Sequence, residues 1–355
     1  MEPIRGRGAQ INPHNRFHKN EKTAYVDDLP TQEEREDLLF QNPKTKFLEV
    51  FPKTIVNRVD SPDVGMAYSL NPYQGCEHGC VYCYARNTHE YWDFSAGMDF
   101  EQNILVKKNA PKLLREFLQN KKHVAETILL SGNTDCYQPA ERQFRITRQC
   151  IEVLYEYRHP MAVITKNVLI ERDRDLLAKL ASENLAHVVF SLTTLNEPLK
   201  RILEPRTASA RNILRAVRSF SEAGIPVTVN MAPIIPALND TEIFDVAQAV
   251  KDHGGQGVNY IVVRLNGQIG SIFENWVKLH FPDRAQKVLN RIKDLHHGKL
   301  NDSEFGRRMK GEGEWAELIK RQHALAMRQY FPERKTTVLD KAKYALYRDR
   351  QMKLF

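Results

Sequence analysis

Between residues 65 and 265 this chain alternates two hydrophobic patterns. Apolar runs of four to six residues are followed by longer stretches whose apolar positions recur every three or four residues. The short runs suit buried strands, and the longer pattern suits helices packed against them. The runs predict strands at residues 66–70, 127–130, 161–165, 187–192, 226–231 and 258–263. Helices are predicted over 111–119, 140–157, 171–182, 209–223 and 241–253, the fourth closed by Gly224. Strand then helix, repeated, is the signature of parallel β/α units. The expected fold is α/β, a partial (β/α)6 TIM-like barrel with an N-terminal extension and a mainly helical C-terminal region.

The flanks read differently. Residues 1–22 are polar, without periodicity, and carry five basic against two acidic residues, which predicts a flexible basic arm. An acidic linker with a short helix is expected at 27–37 and a strand leading toward the core at 46–51. Beyond 265, amphipathic stretches at 272–279, 284–297 and 314–330 predict helices that form a lid over the open side of the barrel. The domain plan is thus 1–64, 65–265 and 266–355.

The 355 residues are 42% hydrophobic, ample for a core. No run approaches a membrane span and no apolar segment near the start reads as a signal peptide, so a cytoplasmic protein with no membrane partner is expected. Five cysteines, odd in number and clustered, do not make a disulfide framework, in keeping with a reducing compartment. The net charge is +8, and residues 280–355 hold 18 Lys and Arg against 10 Asp and Glu. That basic region is either a solvated helical surface or a face for DNA or RNA.

Chemistry concentrates at residues 71–86, NPYQGCEHGCVYCYAR, where Cys76, Cys80 and Cys83 fall within eight residues. Three thiolates this close on one loop can each hold one iron of a cubane cluster. The competing reading is a zinc site of the three cysteines plus His78.

The spacing, with the aromatic Tyr82 just before the last cysteine, resembles the radical S-adenosylmethionine superfamily. Together with TDCYQPAER, LEPRTAS and NMAPIIPALND, it resembles the spore photoproduct lyase-related (SplB-like, "DNA repair photolyase") branch over roughly residues 66–265. The resemblance implies a 4Fe-4S cluster on Cys76, Cys80 and Cys83 whose open iron chelates S-adenosylmethionine. One electron then breaks a carbon–sulfur bond to give a 5'-deoxyadenosyl radical. It also implies an electron donor such as flavodoxin or ferredoxin, and a nucleic-acid substrate for repair or modification. The alternatives are a radical enzyme acting on a peptide or small metabolite, and a zinc-stabilised nucleic-acid-binding protein without catalysis.

In such barrels function gathers on loops after the strands. The loop after the second strand offers Asn133 and Asp135 for the methionyl group, though the family's common Gly-Gly-Glu is absent. After the third strand, Lys166 resembles a lysine that contacts S-adenosylmethionine, the other reading being a surface lysine. Ser191 ends the fourth strand as a candidate for the ribose or carboxylate. Pro233 and Ile234 lie in an apolar loop that resembles the one packing on adenine.

Tyr84 matches a tyrosine of the family's radical relay. Cys136 lies four residues beyond the position matching the family's donor cysteine, and reads either as a hydrogen donor facing the cavity or as a small buried hydrophobe. Cys150 reads as core. Glu204, Arg206 and Arg211 form a charged knot that either grips a cofactor or substrate anion or braces the helix near Ser209. Trp276 and Trp315 read as core anchors before stacking platforms. The terminal Gln351-Met352-Lys353-Leu354-Phe355 resembles a peptide that docks on the bacterial sliding clamp, with Gln351, Leu354 and Phe355 making the contact.

Overall fold

The six apolar runs form the parallel strands of one sheet in a computed structural model of the chain. It describes residues 3–17, 45–334 and 337–352, the last five by backbone alone. In chain order the strands are β1 (Lys46–Glu49), β2 (Val56–Arg58), β3 (Tyr68–Leu70), β4 (Tyr73–Gln74), β5 (Asn103–Val106), β6 (Ile128–Leu130), β7 (Met161–Thr165), β8 (Ala186–Ser191), β9 (Val227–Ile234) and β10 (Val258–Val262). The main sheet runs β10-β9-β8-β7-β6-β3-β2, all parallel except β2, which pairs antiparallel with β3. One row crosses five strands, Leu70, Leu130, Val163, Val188 and Val227, and every member is buried. Side chains in such a row are covered by helices, which is why the runs read as continuously apolar.

The sheet does not close, so the architecture is an open, mostly parallel α/β array. Edge strands leave unpaired backbone groups unless something covers them. On the β10 side, Val262 N donates to Met309 O at 3.0 Å and Leu265 N to Leu300 O at 2.9 Å.

Several local expectations need correction. The predicted helix at 140–157 is two helices, Glu141–Phe144 and Ile146–Glu156, broken at Arg145 with φ 52°. The buried Glu141 carboxylate lies at the break, accepting from Tyr73 Oη and from Thr147 N at 3.1 Å and pairing with Arg172 at 2.6 Å. β1 does not enter the core: its residues are exposed and it pairs with β5, part of a small sheet ordered β1-β5-β4.

Residues 3–17, the described part of the expected arm, are not free. Arg7, Ala9 and Asn15 are buried, and Asn15 Nδ2 donates to Glu90 O at 2.9 Å and Phe94 O at 3.1 Å. The expected helix at 27–37 lies outside the described residues.

The C-terminal helices divide their roles. Ile269–His280 buries Trp276 completely, its indole donating to Ile202 O at 3.0 Å, and shares an apolar cluster with Val81 and Tyr82 of the cysteine loop. Glu314–Tyr330 packs instead on Ile243–Asp252, in the helical layer outside the sheet. Its Trp315 is half-buried beneath the Arg291 guanidinium, 3.8 Å from the ring centroid.

Candidate metal centre and cofactor site

The cysteine loop leaves the C-terminal end of β3 and is held by its backbone. Asn71 Oδ1 accepts from Asn133 N at 2.7 Å and Thr134 N at 3.2 Å, tying it to the loop after β6. Gln138 bridges it, donating to Gly75 O and accepting from Glu77 N, both at 3.0 Å. Cys76 N donates to Phe100 O at 2.9 Å, Val81 N to Leu203 O at 3.1 Å, and Arg86 Nε to Cys80 O at 3.0 Å. With these main-chain groups satisfied, the loop presents its thiols from a fixed frame.

All three cysteines are free; Cys76 and Cys80 are buried and Cys83 is half-buried. Burial pushes each thiol up, and neighbouring negative charge adds to it, Asp135 at Cys76 and Glu204 at Cys80. Buried, clustered thiols of this kind ionise when a metal replaces the proton.

The donor set fits a cubane better than zinc. His78 is already engaged at both ring nitrogens, Nδ1 with Asp135 at 3.3 Å and Nε2 with Asn167 Nδ2 at 3.1 Å, leaving no fourth ligand from that residue.

Behind the loop lies a buried charged network. The Lys166 ammonium contacts Glu204 Oε1 at 2.9 Å, Thr193 Oγ1 at 3.1 Å and Ala232 O at 3.2 Å, and sits 5.6 Å from the Tyr82 ring centroid. Glu204 also accepts from Tyr82 Oη, Lys200 Nζ and Thr193 Oγ1. Burial alone would raise Glu204, but Lys166 and Lys200 outweigh it and hold the carboxyl well below the usual range. Lys166 is held above its ordinary value, since Glu204 overcomes the opposing effect of burial.

The expected Glu204–Arg206–Arg211 knot is therefore not formed. Glu204 pairs with two lysines, while Arg206 Nε reaches Gly6 O at 3.1 Å and its Nη1 lies 3.8 Å from Glu77. Arg211 contributes its backbone N–H to Glu197 at 3.3 Å. Lys200 stands one helical turn before Glu204, the i,i+4 spacing in the sequence that brings side chains together.

Asp135 is not open to a ligand. Its carboxylate takes Thr165 Oγ1 at 2.8 Å, Lys166 N at 2.8 Å, Tyr137 N at 2.8 Å and His78. Burial would raise it, but His78 and the two backbone N–H groups outweigh burial and hold it below its ordinary value. Asn133 Nδ2 is shared between Gln74 Oε1 at 3.2 Å and Thr88 Oγ1 at 3.3 Å.

Ser191 is buried at the end of β8. Pro233 and Ile234 end β9 after a cis Ala232–Pro233 bond. Asn239, not anticipated, pins this apolar loop by donating to Thr193 O at 2.7 Å and Pro233 O at 3.0 Å and accepting from Ile235 N at 2.6 Å. Tyr84 is 46% exposed, its hydroxyl on Gly132 O, so it stands beside the cysteine loop within reach of solvent.

Cys136 fits the second of its two readings, a small buried hydrophobe. It is fully buried in the main apolar core, its amide on Ser131 Oγ at 2.8 Å and its carbonyl accepting from Thr147 Oγ1 at 2.7 Å. It packs among apolar core residues that include Leu130, Tyr137 and Ile146. Cys150 is core, as expected.

The Radical SAM superfamily profile matches residues 70–250, from the last residue of β3 into the helix Ile243–Asp252. The chain belongs to the radical SAM superfamily. A radical SAM match of this extent carries with it S-adenosylmethionine and a 4Fe-4S cluster as the superfamily's cofactors, and it supports an enzyme.

An uncharacterized protein of Mycobacterium tuberculosis is 31% identical over 253 residues, 70% of this chain and 73% of its own length. Another, of Methanocaldococcus jannaschii, is 26% identical over 250 residues, 70% of this chain and 89% of its own. Among solved structures, spore photoproduct lyase complexed with dinucleoside spore photoproduct shares the fold with a TM-score of 0.59, at 17% identity over 81% of this chain and 80% of that one. No helix among the described residues is long and apolar enough to cross a membrane.

Proposed function

We propose that the chain is a radical SAM enzyme in which Cys76, Cys80 and Cys83 hold a 4Fe-4S cluster. The observation that carries this is the presentation of three free thiols from one backbone-locked loop at the C-terminal end of β3. With S-adenosylmethionine bound, the cluster supplies a 5'-deoxyadenosyl radical for hydrogen abstraction. The chain's own residues hold and orient. Burial and then the charge of Glu204 hold the Cys80 thiol up, and Lys166 and Lys200 offset part of that cost. Tyr82 is fixed by Glu204 and packs with Val81 against the helix Ile269–His280, which excludes water from that side of the loop. Asn239 keeps the apolar loop Pro233–Ile235 in one conformation for an adenine ring to lie against.

The test is anaerobic reconstitution with iron and sulfide, then metal counts and detection of 5'-deoxyadenosine after reduction with S-adenosylmethionine. About four irons per chain are expected, and product that disappears in Cys80→Ala. One zinc per chain and no cofactor cleavage would sink the proposal.

The finer reading is a nucleic-acid substrate, for repair or modification, with electrons from a flavodoxin or ferredoxin in the cytoplasm. The basic excess of residues 280–355 supports it, as does the likeness to a lyase whose solved complex holds a dinucleoside photoproduct. Binding to single- and double-stranded DNA and to RNA as salt is raised from 50 to 200 mM is the check. Absence of binding at physiological salt would favour a peptide or small metabolite. The clamp-docking peptide remains part of the proposal; Leu354 and Phe355 lie outside the described residues, and Gln351 falls in the last helix, Ala342–Met352. Equal clamp binding by the full chain and a chain ending at residue 350 would remove it.

A further inference from the structure

The back of the cysteine loop is covered by a segment that the sequence marks as a loose arm. Glu101, fully buried, is the anchor. Its carboxylate accepts from Ala9 N at 2.9 Å and Gly8 N at 3.2 Å, and its carbonyl accepts from Arg7 Nη1 at 2.9 Å. The same carboxylate pairs with the fully buried Arg86 at 2.5 Å, and Arg86 in turn donates to the carbonyl of Cys80 at 3.0 Å and of Gly97 at 2.9 Å. One carboxylate therefore joins the N-terminal segment to the backbone of a cysteine ligand through a single guanidinium.

The fit is close. A methyl group on Gly8 would overlap the carbonyl oxygen of Gly79, the residue just before Cys80, and one on Gly79 would come within 2.9 Å of Glu101 Oε2. Ala9 shares a buried apolar cluster with Cys80, Val81, Tyr82 and Ala96. Arg206 closes the other side, its side chain on Gly6 O at 3.1 Å and its amide on His78 O at 3.2 Å.

Resting on the metal-centre reading above, we propose that Glu101 is a positioning residue for the metal group. It clamps Gly6–Ala9 onto the back of the cysteine loop and so fixes the Cys80 backbone and keeps water and dioxygen from the cluster on that side. Its reach is by contact with partners of the ligands, a class of interaction that tunes metal sites strongly.

The test compares native protein with Gly8→Ala and Glu101→Gln, each reconstituted anaerobically, and follows loss of the cluster's visible absorbance in air well below the melting temperature. Gly8→Ala disturbs the seat while leaving Glu101, Arg86 and the thiols unaltered, so it decides the matter if Glu101→Gln does not fold. Cys150→Ala, a truncation in the core helix Ile146–Glu156, controls for simple loss of stability. Both seat variants are expected to bleach about tenfold faster than native. Their reduced clusters should show a changed electron paramagnetic resonance spectrum, while Cys150→Ala bleaches at the native rate with a native spectrum. Iron-loaded Gly8→Ala that bleaches at the native rate with a native spectrum overturns this inference and leaves the enzyme reading standing. A native chain that takes up no iron removes that reading and this one together.

Discussion

Lys166, just after β7, and Glu204, at the C-terminal end of the helix Glu197–Leu203, form an ion pair at 2.9 Å beneath the ring of Tyr82. Lys200 shares the carboxylate, so two cations depend on one anion. Removing one partner of a buried pair leaves an uncompensated charge. Glu204→Gln is therefore expected to destabilise the chain by about 3–5 kcal/mol in urea unfolding, near the range for buried pairs. Lys166→Met should cost less, because Lys200 remains on Glu204. Equal losses in the two variants would contradict the arrangement.

Cys136 and Cys80 should part company in reconstitution. Cys80→Ala is expected to lose the cluster, whereas Cys136→Ala, fully buried in the core, should keep the iron content and 5'-deoxyadenosine yield of the native chain. The cost of Cys136→Ala should be about 1 kcal/mol of stability, typical of a single core change. Loss of product formation in Cys136→Ala with a full cluster would restore a catalytic role to it.

Asn239→Ala should weaken S-adenosylmethionine binding without touching a ligand of the metal. The variant loses the donors to Thr193 O and Pro233 O and the acceptor for Ile235 N. Leaving such buried groups unpaired costs about 1–3 kcal/mol. Isothermal titration with S-adenosylmethionine on the reconstituted protein should show affinity falling by about tenfold, which is about 1.4 kcal/mol. Unchanged affinity with a normal cluster would place the apolar loop outside the cofactor site.

Acid should destabilise the fold through His159. Its ring is buried against His123, Nε2 to Nε2 at 3.0 Å, with Tyr344 of the last helix edge-on at 5.0 Å. Burial, then the neighbouring His123, depresses it to about 3. A histidine depressed in the folded state takes its proton only on unfolding, so its contribution is whole above the unfolded value of about 6.5 and is lost as pH falls toward 3. The slope is up to about 1.4 kcal/mol per pH unit within that window. His187, depressed to about 4 by burial, adds to the total, so the comparison to make is native against His159→Gln. Urea midpoints between pH 7 and 5 should fall less steeply in the variant; identical slopes would refute the assignment.

The central strands β6, β7 and β8 were legible because they are buried on both faces and read as nearly continuous apolar runs, so the 161–165 run is β7 residue for residue. Trp276 was legible for a related reason, since a large aromatic on an apolar helical stripe has to be packed. The break at Arg145 was not. Residues 140–157 carry an unbroken helical pattern, and the interruption accompanies a buried Glu141 whose partners Tyr73 and Arg172 lie far away in the chain.

What the sequence by itself determined is local. The spacing of Cys76, Cys80 and Cys83 limits the chemistry to a metal group, because three thiols on one short loop have few other uses, and the periodicities set the order of strands and helices. Tertiary structure alone decided which polar groups answer one another. Asp135 went to His78 and Thr165, Glu204 to Lys166 and Lys200, and Glu101 to Arg86 and the Gly8–Ala9 backbone. A carboxylate can pair with any cation or N–H that the fold delivers, and most of these partners are brought together from distant parts of the chain. Apolar residues needed only a common face; each buried charge needed a particular partner, and the choice was made by the packing of the sheet and the segment folded behind its cysteine loop.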